Sequence, residues 1–321
     1  MTQSPGQATE VEYHLLQRAG KPGIWRPILG VPLVAVAAFV LAPVLLQIPI
    51  ALWFVATGRD VEATFATLLD LDKPTPGGLA YLNIVLASAI PATFLTSWLL
   101  HGLRPGWLTS VLPRMRWRFF GACLGLALVA LFATVIVSAL LPQAGTADAG
   151  ELSGDLNPWT STTRDFVLVV VLLTPFQAAG EEYFFRGYLT QAFGGIFGRR
   201  DVAIVVPAVL FALAHGLGQS APVFFDRFAF GLVAGVLVVL TGGLEAGIAM
   251  HVLNNWLAFG FALAFGDMAS ALNPTGGSWW SIPSTLVQSL VYLGLVYVVA
   301  RRMGLRNTGN PRVLEAPAGR V

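Results

Sequence analysis

Long apolar stretches, separated by short polar connections, run along the chain from residue 28 to residue 303. As a helix, each stretch is long enough to cross the roughly 30 Å of hydrocarbon in a bilayer. The pattern therefore predicts an all-α polytopic membrane protein, a bundle of about eight transmembrane helices. The predicted spans cover residues 28–56, 79–101, 118–141, 165–191, 202–217, 222–241, 244–266 and 284–303.

Two predicted spans depart from a plain apolar helix. The first contains Pro32, Pro43 and Pro49, so we expect it to be kinked or tilted. The fifth, residues 202–217, is short for a crossing, so we expect other helices to shield it more than lipid does.

A connection rich in glycine and proline follows the third span and predicts an exposed linker. It separates two groups of spans, which suggests two parts of the chain. The predicted parts are a cytoplasmic N-terminal tail (1–27), a three-helix part (28–141), an extracytoplasmic linker (142–164), a five-helix part (165–303) and a cytoplasmic C-terminal tail (304–321).

The composition supports the membrane prediction and excludes other classes. The chain is 55% hydrophobic and 11% charged, whereas about 25% charged is usual for soluble proteins. A net charge of +2 is too small for a nucleic-acid footprint, so the expected partner is the lipid bilayer and not nucleic acid. The single cysteine, Cys123, excludes an intrachain disulfide and a multi-cysteine metal site. The polar N-terminus lacks a signal-peptide pattern, which predicts a retained tail.

Arginine residues are concentrated in alternate connections. Short loops rich in Lys and Arg face the cytoplasm, and the intervening loops here carry acids such as Asp60 and Glu62 instead. The distribution predicts a multi-pass protein of the plasma membrane with both termini cytoplasmic. The arginines of the predicted cytoplasmic segments are Arg104, Arg114, Arg116, Arg118, Arg199, Arg200, Arg301, Arg302, Arg306 and Arg312.

Ionisable and amide side chains inside apolar spans are the strongest functional signal. A charged group at the bilayer centre costs about 2.5–3.5 kcal/mol on insertion scales, so it marks a functional site by default. The fourth predicted span carries Glu181, Glu182 and Arg186, the fifth His215, and the seventh His251, Asn254 and Asn255.

Helical spacing indicates how the charged groups of the fourth span are arranged. Glu182 and Arg186 are four residues apart with the acid first, the favourable order for an ion pair. Glu181 lies about 100° around the helix from Glu182. We therefore expect Glu181 to face a cavity while Arg186 pairs with Glu182.

The same spacing applies to the other two spans. His251 shares a helical face with Asn255 at four residues, and Asn254 lies close to that face at three. Phe211 and His215 are also four apart, so the phenyl ring is expected to orient the imidazole. Asp226 and Arg227 are interpreted as interfacial and Glu245 as a charge at a helix N-terminus.

A carboxylate, two imidazoles and a carboxamide suit hydrolysis of an amide bond, with a base to activate water and donors for the oxyanion. His215, His251 and Glu181 are also candidate ligands for Zn²⁺, which would lower the pKa of a bound water. The sequence leaves both mechanisms open. A purely structural role also stays open, with the polar groups forming interhelical hydrogen bonds that contribute about 0.6 kcal/mol each.

Three motifs on successive spans resemble those of the CAAX prenyl protease and bacteriocin-processing (CPBP) family of intramembrane endopeptidases. The resemblance covers residues 160–265 and comprises Glu-Glu-x-x-x-Arg, Phe-x-x-x-His and His-x-x-x-Asn. It implies that Glu181 activates water in a membrane cavity, assisted by Glu182, His215, His251 and Asn255. Arg186, Phe211 and Asn254 are then the supporting residues.

The leading hypothesis from the sequence is an endopeptidase acting on a membrane-associated protein or peptide. One alternative is a non-proteolytic bacteriocin self-immunity or scaffolding protein, since the resembled family includes such members. Another is a proton-coupled transporter that uses its buried carboxylates as relays. The sequence specifies neither the substrate nor the oligomeric state.

Overall fold

The computed structural model describes residues 10–141, 155–273 and 277–310, which are almost entirely helical. This confirms the all-α prediction. The described helices are α1 (Trp25–Ala56), α2 (Val61–Leu68), α3 (Pro76–His101), α4 (Gly106–Thr109), α5 (Trp117–Leu140), α6 (Ser161–Phe197), α7 (Arg200–Ala214), α8 (Ala221–Thr241), α9 (Glu245–Phe265), α10 (Met268–Leu272) and α11 (Ser281–Arg302).

Each predicted span corresponds to one helix in the described residues. Seven of these helices are long and apolar enough to cross a membrane. The exception is α7, which has 15 residues and is therefore only about 22 Å long. Large apolar side chains such as Leu45, Leu52 and Ile136 point outward, as expected for a lipid-facing surface. The chain is an integral membrane protein.

The prolines of α1 alter its hydrogen bonding without breaking it. A five-residue π-helical segment, Ala37–Leu41, lies just before Pro43. Proline has no N–H to donate to the carbonyl four residues earlier, here that of Phe39. The helix accommodates this loss by a local π turn, the usual form of such a defect, and continues to Ala56.

The two described ends of the chain meet at one end of the bundle. Strand β1 (Val11–Glu12) pairs antiparallel with strand β2 (Thr308–Gly309). We call this end, with the connection of residues 103–116, the terminal face. The opposite end, which carries α2 and α10, is the loop face. Because both ends lie at the terminal face, the described chain passes through the bundle eight times, once through α7.

Part of the predicted N-terminal tail is folded onto the bundle. A 3-10 helix, Tyr13–Ala19, buries Tyr13, His14 and Leu16. It packs against the last turns of α6, where a Cβ at Gly194 would lie 2.0 Å from the His14 carbonyl oxygen. Desolvation at this site lowers the pKa of His14. Residues 1–9, most of the predicted linker (142–154) and residues 311–321 lie outside the described residues.

The predicted three-helix and five-helix parts share a hydrophobic core. Helix α5 packs between α9 and α11, where Phe119 and Cys123 lie in one cluster with Tyr292. A buried ion pair between Arg116 and Glu245, 2.6 Å from Nη2 to Oε2, joins the starts of α5 and α9. The sequence predicted Arg116 as a loop cation and Glu245 as a helix-terminal charge, and it did not predict that they pair.

Candidate active site

Helix α6 changes its hydrogen-bonding pattern at the predicted site. Regular α-helix ends at Glu182 and a seven-residue π segment, Tyr183–Leu189, follows it. Such segments are frequent at functional sites because the wider turn changes the direction of the side chains that follow. All residues of this segment are buried, including Arg186.

Arg186 lies within an aromatic pocket against Glu182. Its Nη1 is 3.0 Å from Glu182 Oε1, and its Cζ is 4.0 Å from the ring centroid of Phe211 and 5.5 Å from that of Phe230. Among the described residues its nitrogens make no aligned hydrogen bond. The guanidinium is therefore held by the predicted ion pair and by cation–π contacts, both strengthened by the low dielectric of a fully buried site.

His251 lies between the two glutamates. Its Nδ1 is 3.0 Å from Glu182 Oε1 and its Nε2 is 3.4 Å from Glu181 Oε2. A neutral imidazole has one N–H, and the shorter contact assigns it to Nδ1. The lone pair of Nε2 then faces Glu181 Oε2.

Gln177 is a site residue that the sequence interpretation did not identify. Its Nε2 donates to Glu181 Oε1 at 2.8 Å, and its Oε1 accepts from Asn255 Nδ2 at 2.9 Å. Gln177 precedes Glu181 by four residues, and this spacing was the available signal. The second carboxylate oxygen of Glu181, Oε2, is buried without a hydrogen-bond partner among the described residues.

His215 ends α7 beside the same cavity. Its Nδ1 donates to the Phe211 carbonyl at 2.8 Å, so in the neutral ring Nε2 carries the lone pair. The Phe211 ring also contacts the imidazole, edge-on, at 4.6 Å between centroids. Gly216 follows with φ +115°, a conformation that favours glycine and ends the helix here.

A cavity of about 520 Å³ joins these groups. One wall comes from α3 and is mainly apolar, with Leu79, Leu82 and Leu86 next to the amide of Asn83. Glu182 and Arg186 lie behind the cavity wall, fully buried. The predicted residues that line the cavity are Glu181, Phe211, His215, His251, Asn254 and Asn255.

The other wall is polar and comes from α8, α9 and α11. Asp226 accepts a hydrogen bond from Thr285, and Asn254 accepts one from Gln288. Arg227 lines the same wall. Asn254 is therefore directed toward α11, whereas Asn255 is directed toward Glu181 through Gln177. From the sequence, Asp226 and Arg227 were interpreted as interfacial residues. The structure places both in the wall of the cavity instead.

The predicted zinc ligands do not form a ready metal site. In the part of the chain that the structure describes, no three His, Cys, Asp or Glu side chains are grouped as a metal centre. Both ring nitrogens of His251 face carboxylates, and His215 offers only Nε2. The donor set does not fit zinc as it is arranged, and the zinc prediction stays a prediction.

Fold and site together define an integral membrane protein with a buried carboxylate and imidazole site open to a cavity. Residues 163–257 match the family model described as Type II CAAX prenyl endopeptidase Rce1-like. This region of the chain is thus a domain of the CPBP family, as the motifs predicted. The match includes every residue of the three motifs.

A relative of the chain is found in Bacillus subtilis (strain 168), under the name Uncharacterized protein YyaK. The two sequences are 27% identical over 135 residues, 39% of this chain and 45% of YyaK. The similarity therefore spans less than half of the length of YyaK. No solved structure matches the chain.

Proposed function

We propose that the protein is an intramembrane endopeptidase that hydrolyses a peptide bond of a membrane-associated protein or peptide. The single observation that carries the proposal is the environment of Glu181. One of its oxygens is held by Gln177, while the other is buried without a hydrogen-bond partner among the described residues, 3.4 Å from His251 Nε2, and Glu181 itself lines the cavity. A carboxylate held in this way is suited to act as a general base on water.

In the proposed reaction, Glu181 removes a proton from a water molecule in the cavity. The water oxygen bonds to the carbonyl carbon of the substrate and forms a tetrahedral intermediate. His251 Nε2 is near enough to Glu181 Oε2 to take up this proton and to deliver it to the leaving nitrogen as the C–N bond breaks. Glu182 accepts from Nδ1 and stabilises the imidazolium formed in this step.

The developing oxyanion requires hydrogen-bond donors. Asn255 Nδ2 has two N–H groups and gives one to Gln177, so the second is available to the substrate. His215 donates from Nε2 only when it is protonated, because Nδ1 is directed at Phe211. No step of this mechanism passes through a metal ion.

We further propose that the protein lies in the plasma membrane with its terminal face toward the cytoplasm. The arginine-rich connections support this orientation, since Arg104 and Arg199 both lie in connections at the terminal face, whereas Glu62 lies in α2 at the loop face. Thiol labelling of Arg104→Cys and Glu62→Cys, both exposed, checks it. The proposal requires the two cysteines to react from opposite sides, with Arg104→Cys reacting from the cytoplasmic side.

Quantitative proteomics of membrane peptides tests the proteolytic function. Cells expressing the wild type should contain cleaved fragments that are absent from cells expressing Glu181→Gln, since the isostere removes only the base. Exposed Glu62→Gln is the matched control and should give the wild-type fragments. Identical fragments from wild type and Glu181→Gln, together with retained cellular activity, would favour the scaffolding or immunity alternative.

A further inference from the structure

The cavity at Glu181 extends toward one end of the bundle. Its lining includes Leu71, which precedes α3, and Leu272 of α10, and both segments lie at the loop face. Arg227 and Thr285, which also line it, lie in the first two turns of α8 and α11, counted from the loop face. The cavity therefore reaches from the site to the loop face.

The opposite direction is closed by buried side chains. Arg186, at 1% exposure, and Phe185, at 4%, lie between Glu181 and the terminal face. Tyr183 of the same helix is hydrogen-bonded at 2.8 Å to Thr109 of the terminal-face connection, and it lies in one core cluster with fully buried Leu244. In the described residues, the connections of the terminal face contribute nothing to the cavity lining. The cavity is therefore closed toward the terminal face and extends toward the loop face.

The distribution of arginines indicates which side of the membrane the cavity faces. Arginine-rich connections lie at the terminal face and acidic segments at the loop face, and the former orient toward the cytoplasm. We propose that the site opens away from the cytoplasm and that its substrates are polypeptide segments presented on the extracytoplasmic side. This substrate class rests on the proposed endopeptidase function.

The polar wall agrees with entry from water at that side. Asp226, Thr285 and Gln288 extend from the loop-face ends of α8 and α11 toward Asn254. The facing wall of α3 is mainly apolar, with Leu79 and Leu82 beside Asn83. An extracytoplasmic segment with one polar and one apolar side matches these two walls. Its polar groups would meet hydrogen-bonding side chains, and its apolar groups would meet the leucines of α3.

Labelling with a membrane-impermeant maleimide tests the direction of opening without requiring turnover. The background is Cys123→Ser, which removes the single cysteine of the chain. The probe is Gln288→Cys in the cavity wall, with Thr285→Cys as a second probe if the first does not fold. The matched control is Leu290→Cys on the same helix, whose side chain is 61% exposed toward the lipid. Glu62→Cys and Arg104→Cys report the two faces.

The proposal expects Gln288→Cys to react in intact cells together with Glu62→Cys, while Arg104→Cys reacts only in inverted vesicles and Leu290→Cys in neither. Reaction of Gln288→Cys only in inverted vesicles would overturn it. So would a cavity probe unreactive from both sides, or face markers in the reverse order. None of these labelling results depends on hydrolysis. Failure of the proposed proteolytic function would instead appear as identical peptides from wild type and Glu181→Gln, so the two failures are distinguishable.

Discussion

Gln177 donates a hydrogen bond to Glu181 Oε1 at 2.8 Å from one helical turn earlier, and it thereby fixes the orientation of the carboxylate at the cavity wall. The same carboxamide accepts from Asn255 at 2.9 Å, so α9 is connected to the proposed base through α6. The hydrogen bonds from Asn255 through Gln177 to Glu181 hold the proposed base in place beside the cavity. Asn255 thus has a positioning role in addition to any contact with substrate.

Gln177→Leu, which keeps the side-chain volume but removes both hydrogen bonds, should lower kcat and leave KM nearly unchanged. A hydrogen bond to a charged group contributes about 1.5–3 kcal/mol, so the loss should be about 10- to 100-fold. Steady-state kinetics with a cleaved peptide measures this effect. Gln47→Leu, which removes a glutamine bonded to Tyr81 away from the site, is the control and should leave kcat unchanged.

The double variant Gln177→Leu/Asn255→Leu separates the two roles of Asn255. If Asn255 acts only through Gln177, the double variant should be no slower than the slower single variant, because coupled residues are not additive. A loss equal to the product of the two single losses would assign Asn255 an independent function on the substrate.

Arg186→Ala should destabilise the protein strongly. The change leaves Glu182, which is 0% exposed, without its guanidinium, and removal of one partner of a buried ion pair costs about 3–5 kcal/mol. Thermal unfolding in detergent should show a large drop in Tm. Arg164→Ala breaks an exposed ion pair with Asp165 and should change Tm little. Equal melting of the two variants would contradict the proposed role of Arg186.

Gly247→Ala should impair the site by displacing Glu182, which lies behind the cavity wall. A Cβ at this position would lie 2.7 Å from Glu182 Oε2, which is closer than real contacts allow. The carboxylate is buried between Arg186 and His251, so its displacement should lower both kcat and Tm, with a stability loss of about 1–3 kcal/mol. Gly260→Ala on the same helix meets no atom within 4 Å. It should behave like wild type, and equal effects at the two glycines would contradict the argument.

Removal of metal ions should leave hydrolysis intact. This expectation follows from His251, whose two ring nitrogens face Glu181 and Glu182, an arrangement that supports proton transfer more than coordination. Activity after chelation, paired with elemental analysis of the same sample, is the measurement. Activity that disappears on chelation and returns with Zn²⁺ would instead support the predicted ligands His215, His251 and Glu181.

Features that depend on residues close together in the sequence could be predicted. The apolar period located the spans, and the spacing of four residues predicted the pair of Glu182 with Arg186, found at 3.0 Å. Gln177 was accessible by the same rule, four residues before Glu181, but it lies outside the three motifs, and its contact with Asn255 depends on how two helices pack.

Contacts between distant segments could not be predicted. Asp226 and Thr285 meet because α8 packs against α11, and no periodicity within one helix sets that register. The buried pair of Arg116 with Glu245 spans 129 residues of sequence. The rule for cytoplasmic loops predicts only the side of the membrane for Arg116, and its burial depends on the packing of α5 against α9.

The most direct test of the account is hydrolysis by the purified protein in liposomes, in water enriched in ¹⁸O, with a peptide found by the proteomic comparison. The wild type should release a fragment whose new carboxyl terminus contains ¹⁸O. Glu181→Gln, with an unchanged Tm, should be slower by about 10²–10⁴-fold, the usual contribution of a general base. Glu62→Gln should match the wild type. Cleavage by Glu181→Gln at the wild-type rate would contradict the central claim that Glu181 activates water for hydrolysis.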